Sequence, residues 1–196
     1  QAHADLDAPP PHVVFDTCEE RARAHGRRVT GSELVGLVPR DVLRRMGELG
    51  FLGIRYPAEY GGSDMDTLAT VVLAEELGRS TFSGVAITVL VHTDMASVHL
   101  YNAGSQALKD HFMPDVVAGK RIVAVGVTEP GAGSDVKGIR TTARREGDSY
   151  VLNGAKMFIT NGVHADLYCI AAVSSPDARP SQRMSIFLVE KGAPGF

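Results

Sequence analysis

Apolar residues recur at helical spacing from Val13 to about Gly119, and from Ile122 onward the spacing changes to two. Val14, Cys18 and Ala22 stand four apart with arginines between them, which predicts an amphipathic helix over Val13–His25. A second helix opens at Pro39 and runs to about Glu48. It carries Val42, Leu43, Met46 and Leu49 on one face, and Gly50 stops it. Phe51 to Met65 reads as a long loop punctuated by Pro57 and Gly61-Gly62. Asp66 or Thr67 caps a third helix, with Leu68, Val71, Val72 and Leu77 facing inward and Gly78 ending it. Ser83 to Tyr101 is apolar all round in its first half, the pattern of a central, buried helix. Ser105 caps a fifth helix carrying Leu108 and Phe112, which Pro114 kinks or ends.

Beyond Gly119 the alternation predicts strands over Ile122–Val127, Arg140–Arg145, Ser149–Leu152, Lys156–Thr160, Leu167–Val173 and Met184–Glu190. Turn signals fall at Glu146-Gly147-Asp148, Asn153-Gly154 and Ser174–Gln182. Asn153-Gly154 is a strong signal for a type I′ hairpin between Tyr150–Leu152 and Lys156–Thr160, because that turn needs positive φ at both central residues. A run of helices followed by a run of strands is an α+β arrangement. The expected organisation is a disordered tail over residues 1–12, an all-helical domain over 13–120 and an antiparallel β domain over 121–196, with the boundary near Lys120.

Composition narrows the class. With 44% hydrophobic and 22% charged residues in a chain of 196, a sizeable core is expected. A net charge of −3 gives no electrostatic reason for nucleic-acid binding. The apolar run Val85–Val91 is far too short for a membrane span, and Gln1–Pro11 lacks the basic start and apolar stretch of a secretory leader. Cys18 and Cys169 fall in different predicted domains, so free buried thiols in a reducing, cytoplasmic setting are expected. His92 and His99 lie seven apart on one predicted helix and suit a structural or pocket-lining role better than a metal site.

The chemistry is concentrated between Val123 and Asn161. Gly131 and Gly133 let backbone amides approach a ligand closely, Thr128 and Ser134 add hydroxyls, and consecutive amides in such a turn suit an anionic group. The loop lacks the Gly-x-Gly-x-x-Gly spacing of a Rossmann turn and is followed by a strand-like segment rather than a helix. Each position also has a plainer reading. Phe158 suits a buried strand position, Thr160 is a good strand former, and Glu129 beside Pro130 reads as a solvated or backbone-bonded carboxylate. Lys156 reads as a surface charge beside a hairpin turn, and Thr93 and Asp94 as helix-interior residues.

Val-Thr-Glu-Pro-Gly-Ala-Gly-Ser-Asp (Val127–Asp135) and Asn-Gly-Ala-Lys-Met-Phe-Ile-Thr-Asn (Asn153–Asn161), taken together, resemble the acyl-CoA dehydrogenase family. Met46–Gly53, Pro57–Gly62 and Leu90–Thr93 follow the same resemblance in order. It implies FAD as cofactor, with Val125, Gly126, Val127 and Thr128 along the isoalloxazine ring and the Thr128 hydroxyl at its pyrimidine edge. Gly133 and Ser134 lie near the pyrophosphate, and Ser134 also near the acyl-CoA chain. By the same resemblance Phe158 covers the ring, Thr160 reaches its N5 edge, and Ile159 between them is a further cofactor-binding residue. The implied reaction is α,β-dehydrogenation of an acyl-CoA thioester, as in fatty acid metabolism, with an electron-transfer flavoprotein as acceptor and a homo-oligomeric assembly, dimer or tetramer.

The resemblance stops in the middle of the β domain, at Val189–Phe196, short of the helical domain in which the family carries its catalytic glutamate. The expectation is a truncated or cleaved polypeptide, with a natural partial subunit as the alternative, and no catalytic base is assigned. Two further readings stand beside the dehydrogenase: a non-catalytic partner subunit of a heteromeric enzyme, and a flavin oxidase or monooxygenase of the same fold.

Overall fold

The structure, a computed structural model, describes residues 38–80 and 82–196; the expected tail, the Val13–His25 helix and Cys18 lie outside the described residues. Helix α1 spans Arg40–Glu48, with Pro39 at its N-cap, and buries Leu43. Gly50 stops it in the left-handed conformation at φ +82, its N–H bonded to Gly47 O at 2.9 Å. The loop that follows contains two short 3-10 turns, Phe51–Gly53 and Ala58–Tyr60. It folds back on itself so tightly that a Cβ on Gly62 would stand 1.9 Å from Tyr56 O.

Helix α2 spans Thr67–Arg79, and the Asp66 carboxylate accepts from the N–H groups of Leu68 and Ala69 at 3.0 and 3.2 Å. Asp66→Ala is therefore expected to cost about 1 kcal/mol and lower the melting temperature by about 2–4 °C, checked by a circular-dichroism melt. The inward face expected for this helix is corrected. Leu68, Val71 and Val72 are 67%, 54% and 52% exposed, whereas Leu77, as expected, is half-buried and shares its stripe with Thr70, Leu73 and Ala74. Both sets obey helical spacing, so periodicity alone could not choose the phase.

The next rod is continuous: α3 (Ser83–Leu90), a wide π turn (Val91–Ala96) and α4 (Ser97–Ala103). It is central as expected, with Val89, Val91, His92, Ala96 and Leu100 buried. Helix α5 runs Gln106–Val117, capped by Ser105 and continuing one turn past Pro114.

Five strands follow: β1 (Val123–Gly126), β2 (Thr142–Glu146), β3 (Ser149–Asn153), β4 (Leu167–Val173) and β5 (Met184–Glu190). The order of helices then strands is as expected, but the sheet is mixed rather than antiparallel. β4, buried over nearly its whole length, pairs antiparallel with β5 along one edge. Its other edge is shared by two parallel partners, β1 along Leu167–Ile170 and β2 at Val173. The chain between β1 and β2 therefore leaves this edge and returns to it further along. β2 and β3 form a hairpin through Gly147, at φ +60.

The expected strand over Lys156–Thr160 and the Asn153-Gly154 hairpin do not form. Asn153 ends β3, and the chain continues irregularly to β4. Helices and sheet share their cores. Tyr56, Leu100, Phe112 and Met113 pack with Val123, Leu167 and Cys169, and Leu43, Leu52 and Val89 pack with Ile122, Tyr168 and Ile170.

Two polar groups tie the layers. The buried His92 accepts from Val123 N–H at Nδ1 (3.1 Å) and donates from Nε2 to Val116 O (3.1 Å), which fixes its neutral tautomer. Arg40 pairs with Asp166, whose carboxylate also accepts from Ile122 N–H at 2.8 Å. Cys169 is a free buried thiol, pushed up by burial to about 12.

Candidate cofactor site

Where β1 gives out, Val127 and Thr128 lead into a tight reverse turn in which Glu129 and Ala132 exchange backbone hydrogen bonds at 2.8 and 3.2 Å. Pro130 and Gly131 form its tip. Asp135 Oδ1 then accepts from Lys137 N–H and starts a 3-10 turn over Val136–Gly138. The second motif lies directly alongside, because Met157 N–H donates to Thr128 O at 3.0 Å. Asn161 anchors its far end, with Nδ2 donating to Thr88 O at 3.1 Å and Val123 O at 3.5 Å.

Of the residues singled out in the sequence, Val125 is half-buried and Gly126 buried on β1, and Val127 and Thr128 are half-buried just past it. Gly133 and Ser134 are exposed on the far arm of the loop, and Ile159 and Thr160 are half-buried in the neighbouring segment. Phe158 is 55% exposed at φ +57, not buried in a strand. Positive φ at a bulky aromatic is uncommon, and the same segment repeats it at Asn161, φ +64. This local conformation is what prevents a strand there.

The site has an open side. A Cβ added to Gly131 or Gly133 would meet nothing within 4 Å. Among the described residues, no hydrogen bond engages the Thr128 N–H or the hydroxyls of Thr128 and Ser134. Unengaged backbone and hydroxyl donors in a loop with these open glycines fit a ligand edge rich in acceptors.

Its closed side is held by two charges that the sequence reading misplaced. Lys156 is 1% exposed, not a surface charge, and its Nζ donates to Glu129 Oε1 at 2.7 Å and Val127 O at 3.1 Å. Glu129 is 7% exposed and is backbone-bonded but not solvated. It accepts from Arg140 N–H at 2.7 Å, Thr141 N–H at 3.0 Å and the Thr141 hydroxyl. Burial alone would raise this carboxyl, but the bonds from Lys156, Thr141 and the two amides pull it down to about 2. Burial pulls the Lys156 ammonium below its ordinary value, against the opposing attraction of Glu129. The sequence held one usable signal: opposite charges placed within otherwise small or apolar motifs.

A helical half joined to a sheet whose strand-end loop faces an irregular second segment defines a known class. Residues 13–120 match the acyl-CoA dehydrogenase N-terminal domain, and residues 124–196 match the acyl-CoA dehydrogenase middle domain. The chain belongs to the acyl-CoA dehydrogenase family. It is 42% identical over 165 residues to the mitochondrial long-chain specific acyl-CoA dehydrogenase of Mus musculus, covering 84% of this chain and 38% of that protein. It is 37% identical over 158 residues to the mitochondrial isovaleryl-CoA dehydrogenase of Pongo abelii, covering 80% and 37%. Among solved structures, the acyl-CoA dehydrogenase of Geobacillus kaustophilus is 40% identical with a TM-score of 0.76, over 83% of this chain and 43% of that one. The FAD complex of PigA is 33% identical with a TM-score of 0.78, over 92% and 45%. The chain thus spans about two fifths of the length of the curated relatives it matches.

Proposed function

We propose that this chain forms the flavin-binding part of an FAD-dependent acyl-CoA dehydrogenase. The observation that carries the reading is the side-by-side placement of the two motifs, with the Thr128 N–H and the Thr128 and Ser134 hydroxyls unengaged among the described residues and open space at Gly131 and Gly133. In this reading Val125, Gly126, Val127 and Thr128 lie along the isoalloxazine ring, Gly133 and Ser134 serve the pyrophosphate, and Ser134 also meets the acyl-CoA. Phe158 covers the ring, Thr160 lies at its N5 edge, and Ile159 between them is a further cofactor-binding residue. Bound FAD would supply a hydride acceptor for the substrate Cβ. The residues of this chain bind and orient the cofactor, and the base for the α-proton is not assigned to any of them. An electron-transfer flavoprotein as acceptor and a homo-oligomeric assembly belong to the same proposal.

FAD uptake is the direct test. Flavin is excited in the visible, where no protein side chain absorbs, so the change in its fluorescence on adding FAD to the chain reads binding directly. A protein that retains no flavin colour once unbound FAD has been removed refutes the reading. In the full-length enzyme, Thr160→Ala is expected to slow anaerobic flavin reduction by an acyl-CoA about tenfold while the FAD Kd changes less than about twofold. An unchanged reduction rate would remove Thr160 from the N5 edge. A flavin oxidase is the second reading, favoured by 33% identity to the prolyl acyl carrier protein oxidase AnaB at a TM-score of 0.73. Rapid reoxidation by oxygen of the substrate-reduced protein would select it.

A further inference from the structure

Among the described residues, the buried carboxylate Glu129 and the buried ammonium Lys156 are each other's counter-ion. Such a pair gives little net stability, because desolvating both charges offsets most of their attraction, and a well-packed apolar pair would serve the fold as well. Its geometry shows what an apolar pair could not do. Lys156 Nζ also donates to Val127 O at 3.1 Å. The Val127–Thr128 peptide is trans, so its C=O and N–H point in opposite directions. A cation holding the carbonyl from the buried side fixes the Thr128 N–H toward the other side, where no acceptor among the described residues meets it. A charged donor on the carbonyl also polarises the peptide and strengthens that N–H as a donor. Gly126 leaves room for this approach, since a Cβ there would stand 3.4 Å from Lys156 Cγ and 2.7 Å from Ile170 Cδ1.

We propose that Glu129 and Lys156 are positioning residues for the cofactor: Lys156, held by Glu129, aims and polarises the Val127–Thr128 peptide so that its N–H meets the electron-rich edge of bound FAD. Neither side chain touches FAD. Glu129 fixes the opposite arm of the loop through Arg140 and Thr141, so the pair sets the spacing of both arms. The inference rests on the flavin reading and goes beyond it by assigning these two buried charges a role in binding strength and redox poise.

The test uses the full chain and three variants, Lys156→Met, Glu129→Gln and the double Glu129→Gln/Lys156→Met, each measured for melting temperature without FAD, FAD Kd and midpoint potential of the bound flavin. Each single change leaves one buried charge unpaired and is expected to lower the melting temperature, and the double change to restore most of that loss. Cofactor binding is not expected to follow stability. Both proteins lacking Lys156 should bind FAD about tenfold more weakly. Reduced flavin carries the added negative charge and should weaken about tenfold more than oxidised flavin, a midpoint about 30 mV more negative. A double variant that folds and keeps the wild-type Kd and potential overturns the positioning role alone. A wild-type chain that takes up no FAD overturns the flavin reading and this role with it.

Discussion

Glu129→Ala is expected to destabilise the protein by about 3–5 kcal/mol, the cost of leaving a buried charge without its partner. The substitution strands the Lys156 ammonium, whose side chain has no exposed surface, beside an apolar methyl. It also removes the acceptor used by Arg140 N–H, Thr141 N–H and the Thr141 hydroxyl. The loop between β1 and β2 then loses the group that closes it at both ends. Domains are stable by only about 5–15 kcal/mol, so stranding one buried charge would remove a large share, although the intact pair itself adds little. A chain of this size should melt about 10 °C lower, read by circular dichroism. A loss below about 1 kcal/mol would mean that water reaches the pair and screens it.

Acid is expected to weaken the fold in two overlapping stages. Burial pushes the His92 imidazole from its ordinary 6.5 down to about 4, a fall only partly opposed by its bond to Val116 O. Between these values the unfolded chain binds a proton that folded His92 refuses, since Nδ1 is occupied by the Val123 N–H. Stability is therefore complete above pH 6.5 and falls toward pH 4, by about 3 kcal/mol in all. Glu129 has the same sign at lower pH. Its carboxyl is held at about 2 against an ordinary 4.5, so its contribution is present above 4.5 and lost as the pH falls toward 2. Urea unfolding at a series of pH values reads both stages. His92→Gln should flatten the upper one and leave the lower, and an unchanged upper slope would assign that stage to other groups.

Much of the fold was legible because local signals agreed with tertiary packing. Asp66 and Ser105 cap the helices read from them, Gly50 stops α1, and Leu167–Val173 and Met184–Glu190 form strands over the residues predicted. Where two local patterns competed, the sequence could not arbitrate. On α2 both Leu68/Val71/Val72 and Thr70/Leu73/Ala74 obey helical spacing, and only the packing of α2 against its neighbours selected the second set, alongside the expected Leu77. Asn153-Gly154 reads as a turn, yet the Gly154 backbone lies against Thr141, where a Cβ would come within 2.3 Å of the hydroxyl oxygen. The glycine is required there for close approach, not for positive φ, and of the two turns expected only the one at Gly147 closes a hairpin.

The sequence by itself determined the family, the run of helices followed by strands, and the two motifs that form the candidate site. These are encoded in short-range periodicity and in specific strings, which need no knowledge of what lies across the fold. The tertiary structure alone decided that the sheet is mixed, with β1 and β2 sharing one edge of β4, and that Lys156 turns inward to Glu129. Those outcomes depend on residues 27 positions or more apart in the chain, as Glu129 and Lys156 are, meeting in a water-poor interior. There a charge finds its counter-ion by position in space, and its neighbours in sequence carry no record of that meeting.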